Sequence, residues 1–211
     1  MTIHSVARTV VAPASTGQVR AVALVLPGGK ADSVEPTSRA QLSALRMRPF
    51  ASALHRRGAA RGLEVRALRY RVRGWNGGEM SPVHDAQRAI DDIRAAHGRV
   101  PVALVGHSMG GRTALRIAGA DAVVSVVALA PWLPADEPII QLRDRRVLIA
   151  HGSLDMVTSP RASSRFAARA ASAGVDVTYR EIAGEMHAML FRWQLWHRLA
   201  TRFSLEALGL A

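Results

Sequence analysis

The residues best placed to do chemistry are Gly106-His107-Ser108-Met109-Gly110. They follow the apolar run Val102 to Val105, and a helical pattern begins at once after them. This is G-x-S-x-G between a strand and a helix, a context that puts a serine on a sharp turn and lifts its hydroxyl above the sheet edge. Gly106 and Gly110 carry no side chain, so strand and helix can approach closely. The Met109 N–H at the helix N-terminus can face a developing oxyanion. A serine hydroxyl is a weak nucleophile at neutral pH, so this chemistry requires a base within reach.

The rest of the chain must supply that base and hold it. Short apolar runs with β-branched content recur at Val22 to Leu26, Leu63 to Tyr70, Val100 to Val105, Val123 to Leu129, Val147 to Ala150 and Val175 to Ile182. Helical patterns lie between them, at Arg39 to Arg57, Val83 to His97, Met109 to Ala118 and Arg161 to Ala173, with a last amphipathic stretch from Met189 to Leu208. Continuous apolar strands alternating with helices imply a mostly parallel sheet buried on both faces, in one α/β domain over residues 1–211. Ser5 to Val11 could add an antiparallel edge strand. In such sheets ligands bind beyond the carboxyl ends of the strands. The segments to inspect are therefore Pro27 to Lys30, Arg71 to Gly78, Gly106 to Gly111, Ala130 to Trp132, His151 to Asp155 and Gly184 to His187.

With its Gly106-His107-Ser108-Met109-Gly110-Gly111 elbow, the chain resembles the α/β-hydrolase superfamily, whose members often carry G-H-S-M-G-G there. The resemblance runs from about Val19 to the last helix. It implies an α/β-hydrolase fold and the chain order Ser, then Asp or Glu, then His. Beyond His151, two histidines remain. His187 follows a strand pattern and is the expected base; His197 sits inside the last helix beside Trp196. Asp155 is the expected acid, in a His-Gly-x-x-Asp segment of the kind relatives often carry, with Asp136 and Glu137 as alternatives. His151 is expected to shape that loop. The first strand ends in Leu26-Pro27-Gly28-Gly29-Lys30, where relatives have His-Gly; the oxyanion donor is a backbone N–H, so the proline is tolerable. Gly29 and Met109 are the expected donors, with Lys30 the alternative to Gly29. Lys30 and Trp132 are the expected substrate-binding residues.

The connection from Ala130 to about Arg146, where relatives insert a cap, contains Pro131, Pro134 and Pro138. It is too short and too proline-rich for a helical lid. No cap domain is expected, and an open site should handle soluble short-chain esters without interfacial activation.

Composition narrows the rest. There is no cysteine, which excludes disulfides, thiolate metal sites and cysteine nucleophiles. No metal and no cofactor are implied. The formal charge is +12, and Lys30 is the only lysine. The arginines are spread along the chain and few aromatics interleave with them, so a compositional bias accounts for the charge better than a nucleic-acid site does. The start of the chain lacks a basic region followed by an apolar run. No stretch approaches the roughly 20 apolar residues of a membrane span. The expectation is a cytoplasmic serine esterase acting on a small-molecule ester or thioester. Peptidase or acyltransferase activity on the same triad, or a binding protein on this fold, are the alternatives. Oligomeric state is not legible.

Overall fold

The computed structural model describes residues 7–15, 17–38 and 40–211. Among the described residues seven strands form one sheet: β1 (Arg8–Ala12), β2 (Ala21–Leu26), β3 (Leu63–Arg69), β4 (Val102–His107), β5 (Val123–Leu129), β6 (Arg146–Gly152) and β7 (Asp176–Ile182). Their spatial order is β1-β3-β2-β4-β5-β6-β7. Six strands run parallel, and β1 pairs antiparallel with β3 at the edge. The expected edge strand thus exists; Ser5 and Val6 of that expectation lie outside the described residues.

The described residues form five α-helices that cover the sheet: α1 (Leu42–Gly58), α2 (Ser81–His97), α3 (Met109–Arg116), α4 (Pro160–Ser172) and α5 (Trp193–Ala207). Alternation along the strands decides which helix meets which face. Val22, Leu24 and Leu26 of β2 point to the side where Ile90, Ile93, Leu115 and Phe166 pack from α2, α3 and α4. Ala21, Ala23 and Val25 point to Phe50 and Leu54 of α1 and Trp196 and Ala200 of α5. Both faces are covered, so β2 and β4 are buried at every position and contain no alternating polar residues.

Two helices start later than their periodicity suggested. For α1, Arg39 lies outside the described residues and the helix begins at Leu42. For α5, the pattern from Met189 is broken by a long-range contact. The Glu185 carboxylate accepts from the backbone N–H groups of Phe191 and Arg192, which holds residues 186–192 as a loop. Between β5 and β6 the chain forms only a 3₁₀ turn, Ile140–Leu142, and no cap is built.

Register lays out the catalytic edge. Leu26 pairs with Gly106, His107 with Leu129, Leu129 with Ala150, and Gly152 with Ile182. The loops leaving β2, β4, β5, β6 and β7 therefore emerge side by side. The loops after β2 and β3 also zip together, through backbone bonds such as Lys30 N–H to Arg73 O at 2.8 Å and Trp75 N–H to Lys30 O at 2.9 Å. They make a fixed wall at one side of the edge.

Candidate active site

Ser108 occupies the turn between β4 and α3 with φ 56° and ψ −119°. A side chain with positive φ is strained and persists only where its surroundings over-determine it. Here the Ser108 N–H donates to Leu129 O at 2.9 Å and the Trp132 N–H donates to Ser108 O at 3.2 Å. The glycines make room for the turn. A Cβ on Gly106 would lie 2.1 Å from the Gly110 carbonyl oxygen, and one on Gly110 would lie 2.3 Å from Leu26 O. Ser108 is half-buried.

Asp155 and His187 meet although 32 residues separate them, with His187 Nδ1 2.7 Å from Asp155 Oδ2. The Asp155 side chain is fully enclosed and His187 is mostly so. His187 is delivered to the elbow by its neighbours. His107 Nε2 donates to the His187 carbonyl at 3.0 Å, and the two rings lie 4.6 Å apart. Arg46 of α1 donates to the carbonyl of Ala188. Among the described residues the Ser108 hydroxyl makes no hydrogen bond; such contacts are often long before substrate arrives and tighten afterwards.

The acid is held by more donors than the sequence suggested. Oδ1 accepts from the N–H groups of Val157 at 2.8 Å and Thr158 at 2.9 Å. Oδ2 accepts from His187, from the Thr158 hydroxyl at 2.9 Å and from His151 Nε2 at 3.1 Å. Burial works against the carboxylate charge, but the hydrogen bonds from His151, His187, Thr158 and Val157 outweigh it and hold Asp155 far below the usual carboxylate range. His151 is itself fully buried, and the Ser163 hydroxyl lies 2.8 Å from its Nδ1. With Ser163 donating to Nδ1, His151 carries its proton on Nε2 and faces Asp155 as a donor. Spacing could have found Thr158: an Asp followed at i+2 and i+3 by free N–H groups is a local turn that returns a hydroxyl to the same carboxylate. Ser163 and Arg46 carry no such local signal.

Glu185 is a further residue that spacing could not identify. It is fully buried, yet no cation pairs with it among the described residues. Its carboxylate accepts instead from Trp196 Nε1 at 2.7 Å and from the Met186, Phe191 and Arg192 N–H groups. The loop bearing His187 is wound around this one side chain.

At the other wall, a Cβ on Gly29 would lie 2.4 Å from the Arg73 carbonyl oxygen, which is fixed backbone, so only glycine fits there. The Lys30 N–H is committed to Arg73 O. The amides of Gly29 and Met109, the expected donors, have no backbone partner among the described residues. The Lys30 side chain is exposed. Trp132 is half-buried beside Ser108 and joins a stacked cluster, with the Arg112 guanidinium 3.8 Å from the Trp75 ring centroid and 4.6 Å from that of Trp132. Glu137 pairs with Arg112 at 2.6 Å and with Arg116, so this alternative acid is spent in a buried ion pair. Asp136 is exposed. His197 packs between Phe50 and Trp193, away from the elbow.

His107 makes a stability prediction. Burial, followed by the nearby His187, pushes its pKa from 6.5 down to about 3. The unfolded chain binds a proton here between those values and the folded chain does not, so stability is complete above pH 6.5 and falls as pH falls toward 3. The expected slope from this one group is about 1.4 kcal/mol per pH unit. Urea unfolding between pH 7 and pH 4 should show it, and His107→Asn should flatten it; equal slopes in the two proteins would remove His107 as the cause.

A strained serine at a strand–helix turn, an enclosed carboxylate–imidazole pair and two unpaired amides define a protein with the hydrolase elbow on a doubly wound sheet. The chain belongs to the alpha/beta hydrolase family, which matches residues 11–208. No curated protein matches it. Among solved structures it is similar to the thermophilic esterase Est2 of the planctomycete Thermogutta terrifontis with butyrate bound, at 18% identity and a TM-score of 0.72, covering 97% of this chain and 90% of that one. It is also similar to an alpha-beta serine hydrolase homologue from Coxiella burnetii, at 16% identity and TM-score 0.69, covering 93% and 91%. A third is Est1E from Butyrivibrio proteoclasticus, at 13% identity and TM-score 0.69, covering 96% and 95%. At these identities the likeness carries the fold.

Proposed function

We propose that this protein is a serine hydrolase that cleaves carboxylic esters through an acyl-enzyme on Ser108. The observation that carries the reading is the 2.7 Å hydrogen bond between His187 Nδ1 and Asp155 Oδ2, closed beside a serine on a strained elbow. With Nδ1–H donated to Asp155, the second ring nitrogen of His187 is an acceptor. It takes the Ser108 proton as Oγ attacks the ester carbonyl carbon. The carbonyl oxygen becomes an oxyanion and is met by the Gly29 and Met109 N–H groups. The imidazolium, stabilised by Asp155, then gives its proton to the departing alkoxide. Water repeats the sequence on the acyl-enzyme: His187 removes its proton, hydroxide oxygen attacks, and the acid leaves as Ser108 recovers the proton.

The edge has no cap, so little water is excluded and hydrolysis should prevail over acyl transfer. The esterase neighbours in the family's fold support esters as the substrate class. Incubation with a fluorophosphonate probe should label Ser108 stoichiometrically, and short-chain aryl esters should be turned over. A protein that neither labels nor hydrolyses such esters would be a binding protein on this fold.

A further inference from the structure

The loops that carry Asp155 and His187 are studded with apolar side chains that cover nothing. Met156 is 94% exposed, and Leu154 and Val157 beside it are also exposed. On the second loop Phe191 is 68% exposed and Leu190 is likewise open to solvent, and Trp193, the first residue of α5, is 50% exposed. The two loops are one surface, because Leu154 N–H donates to Glu185 O at 2.9 Å and Gly184 N–H donates to the Ser153 hydroxyl at 2.9 Å. A concentration of large apolar groups in water at one edge marks an interaction site.

Charge says what kind. In segments 153–165 and 183–198 the carboxylates are Asp155 and Glu185, both buried and both satisfied by internal donors. The same segments carry Arg161, Arg165, Arg192 and Arg198, all exposed. Among the described residues none of the four is in an ion pair. Within these two segments the surface is therefore apolar at its loop tips and cationic around them, with no exposed acid; the exposed carboxylates of Asp136 and Glu181 lie outside them. That combination fits a surface that is hydrocarbon inside and anionic outside. The six apolar groups come from two stretches of chain, 154–157 and 190–193, next in sequence to Asp155 and His187. A lipid surface accepts such separate insertions without a complementary shape, whereas a protein partner would need a shaped pocket at each tip. Trp193 next to Arg192 suits the headgroup level, where an indole and a guanidinium are both satisfied.

We propose that this edge docks on an anionic lipid surface, with the candidate site facing it. Docking by itself needs no catalysis. That the surface supplies the ester, an acyl lipid, rests on the serine hydrolase reading. Because no lid must open, docking concentrates substrate and leaves the hydrolysis of soluble short-chain esters unaltered.

The test is co-sedimentation of the full chain with phosphatidylcholine vesicles and with mixed phosphatidylcholine–phosphatidylglycerol vesicles at physiological salt. A protein of formal charge +12 could adhere to anionic vesicles through charge alone, so the decisive variant keeps the charge. Leu190→Ser with Phe191→Ser is expected to weaken binding to the mixed vesicles by about tenfold or more. Circular dichroism checks that the pair remains folded. Arg94→Ser with Arg99→Ser, exposed at the opposite edge of the sheet, should bind as the parent does although it carries less charge. Ser108→Ala should also bind as the parent does, so loss of docking and loss of hydrolysis are read separately. The proposal is overturned if the parent fails to sediment with the mixed vesicles, or if the apolar variant binds as well as the parent.

Discussion

Ser108→Ala is expected to abolish fluorophosphonate labelling and to cut ester turnover by a factor on the order of 10⁶, as loss of the nucleophile does in a serine protease. The fold should survive, because the bonds that shape the elbow are made by the backbone of residue 108, to Leu129 and Trp132, and by the glycines around it. Alanine keeps both bonds and still has to adopt φ near 56°, so strain is unchanged in kind. Any residual rate would come from the Gly29 and Met109 amides acting on bound ester with water as nucleophile. Intact-mass analysis after probe treatment, alongside unfolding curves, checks both halves. A variant that labels at the parental rate would place the nucleophile elsewhere.

Asp155→Asn is expected to lower kcat by about 10⁴ with the geometry intact, by analogy with the protease precedent. The structure supplies a reason specific to this site. Every group facing the carboxylate is a donor or is acting as one. The two on Oδ1 are backbone N–H groups and cannot reverse. An asparagine must therefore keep its oxygen at Oδ1 and turn its NH₂ toward Oδ2's partners. His187 would meet that NH₂ with an unprotonated Nδ1, which moves its proton to the other ring nitrogen, where it cannot accept from Ser108. His151 could adapt by the same exchange only if Ser163 stopped donating to it. Near-parental activity at pH 7, with Asp136→Asn impaired instead, would move the acid to the loop after β5.

Much of this protein was legible from order and type alone. Six apolar runs alternating with helices can bury themselves only as a parallel sheet covered on both faces, and that period is local. The elbow was legible because its requirement is local too: two glycines and a serine within five residues, at the junction of a strand and a helix. Asp155 and His187 were named through the chain order that the resemblance implies, and the structure brings these two side chains to 2.7 Å of each other. Trp132 was expected to bind substrate; in the structure its ring belongs to a stack with Arg112 and Trp75, residues that meet only in three dimensions.

What the tertiary structure decided is how the charged and polar groups are satisfied. The start of α5 depends on a carboxylate at Glu185 reaching forward to Phe191, Arg192 and Trp196, so periodicity placed it too early. Lys30 and Gly29 are neighbours in sequence, and only strand pairing with Arg73 removes the Lys30 amide from contention. Glu137 looked available as an acid until α3 brought Arg112 and Arg116 to it. Hydrophobic period is written into a short stretch of chain. The partner of a buried donor or acceptor is whichever group the packing brings within about 3 Å, and that group can come from anywhere in the sequence.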